Sequence, residues 1–83
     1  MNEKQSNIPQ SVMTEAENLI DLYGDTIEYI GVYEGYGVYQ FVFPKNKETG
    51  FPFIYIYDPE DESVLEVTGF RALDIIKEIN KSN

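Results

Sequence analysis

Carboxylates are the most numerous of the side chains in this chain that could do acid–base or metal chemistry. Asp and Glu together count 15 of the 83 residues, and there is no histidine and no cysteine. Without histidine or cysteine, Ser-His and Cys-His nucleophiles and thiolate or imidazole zinc sites cannot be built within the chain. A glycine-rich phosphate loop is also missing, because Gly31, Gly35 and Gly37 are followed neither by Lys-Ser/Thr nor by a helix. Glu15, Glu17, Asp21, Asp25, Glu28 and Glu34 qualify as acid–base groups by type alone. Paired-carboxylate hydrolysis needs a deep cleft between two such groups, which a chain of this length hardly forms, so they read as solvated charge. Asp58, Glu60, Asp61 and Glu62 suggest calcium until the spacing is checked. Counted from Asp58, the sixth position is Ser63 rather than glycine and the twelfth is Gly69 rather than glutamate, so the run reads as an acidic turn. The expectation is a non-enzyme with no cofactor and no metal.

The same acidity limits the partners. With six Lys and Arg against those acids the net charge is -9, which repels nucleic acid and anionic membranes and suits either solubility or a basic protein surface. Asp21 and Asp25 lie at the C-terminal end of the first expected helix, where a negative charge opposes the helix dipole by about 0.3–1 kcal/mol. Arg71 sits in the first turn of the last helix, again the unfavourable end, with Asp74 one turn on. Charges held in such places are candidates for partner contact, and with Glu28 and Glu34 the two aspartates form the acidic half of the expected binding surface.

The elements that must position these groups follow from periodicity. Val12, Ala16, Leu19, Ile20 and Tyr23 share one helical face, with Pro9 in the first turn and Gly24 able to close the helix. Strands are expected over 26–33, 38–43, 51–57 and 64–67, separated by the glycine-bearing reversal Glu34-Gly35-Tyr36-Gly37, the polar run 45–50 and the acidic turn 58–63. Phe70, Leu73, Ile76 and Ile79 give the apolar face of a last helix over 70–81, widened by Ala72 and Ile75 and capped by Thr68 or Gly69. All connections are short, so the fold class is α+β: an α-β-β-β-β-α order with a four-stranded antiparallel meander and two helices packed on it. Residues 1–83 make one domain, with 1–7 a frayed end. The longest apolar runs fall short of a membrane span and Met1–Gln10 has no signal-type apolar core, so the chain is expected to be cytoplasmic and free of membrane.

The two central strands pose the main question. Tyr39, Phe41 and Phe43 fall on one face and Val38, Gln40 and Val42 on the other; Phe53, Tyr55 and Tyr57 oppose Ile54 and Ile56. Neither face is polar, so something must cover both. If both helices pack on the aliphatic side, the rings form an open patch of the size that marks an interface; if the helices divide between the faces, the rings are core. Seven tyrosines favour partial exposure, since tyrosine tolerates a half-wet surface. Tyr39, Phe41, Phe43, Phe53, Tyr55 and Tyr57 are therefore the apolar half of the expected binding surface.

The run Gly35-Tyr36-Gly37-Val38-Tyr39-Gln40-Phe41, then Phe53-Ile54-Tyr55-Ile56-Tyr57-Asp58, then an apolar helix, loosely resembles the second half of SUKH-type immunity domains. Those domains also run a glycine-marked hairpin into a strand ending Tyr-x-Tyr-Asp. Their long N-terminal helical part has no counterpart here, and the likeness rests on strand and turn propensities that many folds share. The functional expectation is a small acidic protein-binding module of inhibitor, immunity or accessory type, engaging a basic protein surface. Two alternatives use the same rings: a structural domain pairing with itself as a homodimer, and a small-ligand site between sheet and helices.

Overall fold

The structure, a computed structural model, describes residues 8–24, 26–43 and 52–82. Two short helices, α1 (Gln10–Glu15) and α2 (Glu17–Tyr23), precede strands β1 (Ile27–Tyr33), β2 (Tyr36–Phe41), β3 (Phe53–Asp58) and β4 (Ser63–Thr68), and α3 (Phe70–Ser82) closes the chain. The strands form one open antiparallel sheet in the order β1-β2-β3-β4. This is the expected α+β meander. The expected first helix is divided at Ala16, a buried residue with φ -91° and ψ 9°, although the Val12 carbonyl still accepts from Ala16 N–H and the Ala16 carbonyl from Ile20 N–H.

The first reversal is tighter than its four glycine-flanked residues suggest. Tyr33 pairs directly with Tyr36, leaving only Glu34 and Gly35 in the turn, with φ values of +53° and +88°. Positive φ at both central residues is the type I′ pattern, whose twist matches that of the flanking strands. Tyr36 and Gly37 thereby join β2, which starts two residues earlier than expected. At its far end β2 stops at Phe41, and the chain is tied there by Val42 N–H donating to the Thr26 carbonyl. The turn from β4 into α3 takes a single residue, Gly69 at φ +77°, whose carbonyl accepts from Leu73 N–H. The Thr68 hydroxyl donates to the Pro52 carbonyl across the sheet at 3.0 Å.

The helices divide between the faces. Val12 and Ala16, with Met13, Leu19, Ile20 and Tyr23 beside them, pack on Ile27, Tyr39, Phe41 and Tyr55. On the opposite face Ala72, Ile75 and Ile79 of α3 pack on Val38, Ile54 and Val67. The molecule thus has two cores back to back, one aromatic and one aliphatic, sharing a single sheet. Each fully buried Leu-, Ile- or Phe-sized side chain contributes about 1.5–3 kcal/mol, so neither face could stand uncovered.

One backbone feature lets α3 come close enough. The β1–β2 register shifts between Tyr29 and Gly31, which puts Ile30 in a bulge, and Gly31 takes φ +141°. A Cβ at Gly31 would lie 2.7 Å from Ile79 Cγ2. Gly31→Ala is expected to lower stability by about 2 kcal/mol in urea unfolding, from backbone strain and overpacking together. In an Ile79→Ala background the same change should cost about 1 kcal/mol less, because the methyl it strikes is gone. Additive effects of the two substitutions would contradict the close approach.

Candidate functional site

The nominated rings are placed as core. Phe41 and Tyr55 are 1% and 0% exposed, Tyr39 is buried, and Phe43, Phe53 and Tyr57 are partly buried around them. Their contacts are ring to ring. Tyr23 of α2 meets Phe41 and Phe43 edge-on at centroid distances of 6.4 and 5.2 Å, and Phe43 continues the chain to Phe53 at 5.5 Å. Such edge-to-face pairs add about 0.5–1.5 kcal/mol each beyond the burial of area. The Tyr55 hydroxyl donates to Glu66 Oε2 at 3.3 Å, and Glu66 lies directly opposite on β4. Tyr39, Phe41 and Tyr55 are thus enclosed by the fold, while Phe43, Phe53 and Tyr57 keep part of their surface open.

The nominated acids separate. Asp21 is exposed on α2, and Glu28 is exposed near the start of β1 opposite Gln40. Glu34 is exposed in the turn at the other end of β1, roughly 20 Å from Glu28 at the usual strand rise. Asp25 lies outside the described residues. The antiparallel order brings a different set together. Both hairpin turns, Glu34–Gly35 and Pro59–Glu62, fall at the same end of the sheet, which gathers Glu34, Asp58, Glu60, Asp61 and Glu62 there.

The second turn is ordered by its own carboxylates. Glu60 N–H donates to Asp58 Oδ1 at 2.9 Å, Ser63 N–H donates to Asp61 Oδ1 at 3.0 Å, and Glu62 takes φ +61°. Hydrogen bonds from Ser63 hold the Asp61 carboxyl below its ordinary pKa. Among the described residues the basic side chains are Arg71, Lys77 and Lys81, all on α3. Lys77 and Lys81 line an open groove with Val32, Tyr33, Glu34, Asp74 and Glu78.

Beside that turn the aliphatic face is open. From Phe70 the last helix crosses from β4 to the bulge in β1, leaving uncovered the corner where β2 begins and β3 meets β4. There Tyr36 and Leu65 are 39% and 56% exposed, and with Ile56, Asp58 and Ser63 they line a mainly apolar notch of about 240 Å³. None of these was among the binding residues expected from sequence, where Asp58 and Ser63 entered only as parts of the acidic turn. Tyr36 and Leu65 alternate onto the same face as Val38 and Ile54, and what exposes them is the limited reach of α3. A signal for this did exist: α3 starts directly after β4, at the end of the sheet remote from both turns. On the opposite face Tyr29 and Val32 are also exposed, at 56% each, with the Tyr29 ring 5.4 Å from that of Tyr39.

Among the described residues no cluster of three or more acidic side chains is arranged to hold a metal ion, and no helix is long and apolar enough to cross a membrane. No family model matches the chain, and no curated protein or solved structure matches it either. The likeness to SUKH-type domains therefore remains one of local pattern.

The buried phenols make the placement testable by pH. Burial, then the charges of Glu66 and Glu15, push the Tyr55 hydroxyl far above its ordinary pKa of 10.0. Burial, then Tyr29 and Tyr57, raise that of Tyr39. The folded chain then holds these protons more tightly than the unfolded chain. Their contribution is constant below pH 10 and falls as pH rises beyond it, because the unfolded chain ionises first. The urea midpoint is expected to drop steeply above about pH 10, and Tyr55→Phe should flatten that drop. Seven tyrosines titrating together near their ordinary value in the folded chain would contradict it.

Proposed function

We propose that this chain is a non-enzymatic binding module for a protein with a basic surface, of the kind that serves as an inhibitor, immunity or accessory factor. The observation that carries the reading is the gathering of carboxylates from both hairpin turns at one end of the sheet, beside apolar side chains that the helices leave open. A field of one sign accelerates encounter with a partner of the other sign, and desolvated apolar contacts then keep the complex together. The absence of histidine and cysteine from the sequence supports a binding role over catalysis.

The binding surface of this reading differs from the one expected at first. Tyr39, Phe41 and Tyr55 are spoken for by α1 and α2, so the rings lose their role as anchor, and the turn end of the sheet takes it. Self-pairing through a ring face loses its surface for the same reason, and the net charge of -9 opposes it further.

Glu34 and Glu62 both sit at positive φ, where asparagine is better tolerated than glutamate, so Glu34→Asn and Glu62→Asn remove charge without weakening the fold. The partner would be captured at low salt from cells of the source organism and purified, and association followed by surface plasmon resonance. Its association rate is expected to fall steeply with ionic strength, and the double variant should slow association several-fold with an unchanged urea midpoint. A partner whose on-rate ignores both salt and the double variant would remove the electrostatic basis of this function.

A further inference from the structure

The notch beside the β3–β4 turn carries the reading further. Three apolar side chains, Tyr36 from β2, Ile56 from β3 and Leu65 from β4, form its walls, and Asp58 and Ser63 stand at its mouth. These residues come from three neighbouring strands of a well-paired sheet, so the walls are fixed by ladder geometry; Ile56 and Leu65 are a direct cross-strand pair. About 240 Å³ suits one large apolar side chain and falls below the usual range for a small-molecule pocket. The chain immediately after Asp58 adds Glu60, Asp61 and Glu62, while Lys77 and Lys81 line the other groove, between α3 and the β1–β2 hairpin.

We infer that this notch receives a single aromatic or large aliphatic side chain of a protein partner, on a segment that places lysine or arginine on either side of it. Shape selects the apolar side chain and charge complementarity selects its neighbours. A second copy of this chain would bring its own acidic turn against the first and is disfavoured by repulsion. The inference rests on the binding-module reading above and names the site and the partner chemistry within it.

The test uses the full chain labelled with ¹⁵N and three acetylated pentapeptides: tryptophan between two lysines on each side, glycine in the same setting, and tryptophan between glutamates. With the first peptide at about 1 mM, a level that detects weak affinities of a few kcal/mol, the amides of Tyr36, Ile56, Asp58, Ser63 and Leu65 are expected to shift. Leu65→Ser, at an exposed position, should weaken binding at least tenfold with the fold intact, and Glu62→Asn should weaken it several-fold. If the glycine peptide shifts the same amides as strongly, the acidic module survives and the notch does not. Equal binding of the glutamate peptide would overturn the notch's charge selectivity and the parent reading together. Shifts elsewhere, or none, would overturn the inference, and so would notch amides that move when the chain alone is diluted, since the occupant would then be a second copy.

Discussion

The central strands carry apolar side chains on both faces, and every other feature of the molecule answers to that. Exposing either face would leave Phe41 and Tyr55, or Val38 and Ile54, in water, at a cost of about 1.5–3 kcal/mol for each. A domain of this size has only a few kcal/mol of net stability, so both faces must be covered by the same short chain. The solution is one helical segment before the sheet and one after it, on opposite sides. Residue types match the two jobs. The rings receive Val12, Ala16 and Tyr23, and the flatter Val and Ile face receives Ala72, Ile75 and Ile79. Close approach on the second side is made possible by the missing side chain at Gly31.

Covering both faces with so little chain leaves gaps, and those gaps locate the candidate site. The 13-residue α3 cannot span the whole aliphatic face, so the corner at Tyr36, Ile56 and Leu65 stays open. Meander connectivity puts the acidic β3–β4 turn at that same corner. Neither property was chosen by the other, yet together they make an apolar notch with a charged mouth. The groove on the other side of the same helix has charges of both signs and lacks that asymmetry.

Much of the fold was legible in the residues. Short turns between β-rich runs dictate a meander, Gly35 marked a reversal that does occur, and Gly69, a candidate cap, does stand directly before the last helix. Helix division between the faces was not legible, because Val38 and Ile54 are as apolar as Phe41 and Tyr55 and periodicity alone ranks neither face as the better cover. That single undecided step moved the proposed binding surface: rings that alternate perfectly for an open platform became core once α1 and α2 lay over them. The notch was hidden for a related reason. Tyr36 stood in what looked like turn until the two-residue reversal at Glu34–Gly35 placed it in β2, and the face of Leu65 followed only from its pairing with Ile56. The division of the first helix at Ala16 has no proline or glycine to announce it, and nothing in the structure explains it.

The central claim is that the sheet's rings are interior and its turn end is the open surface. Nitration of the native chain by tetranitromethane, with the modified tyrosines located by mass spectrometry, tests it most directly. The account predicts rapid modification of Tyr29 and Tyr36, which are 56% and 39% exposed, and protection of Tyr39 and Tyr55 until the chain is unfolded. Modification of Tyr39 and Tyr55 in the folded chain at the rate of Tyr29 would show that the aromatic face is open, and would contradict the account.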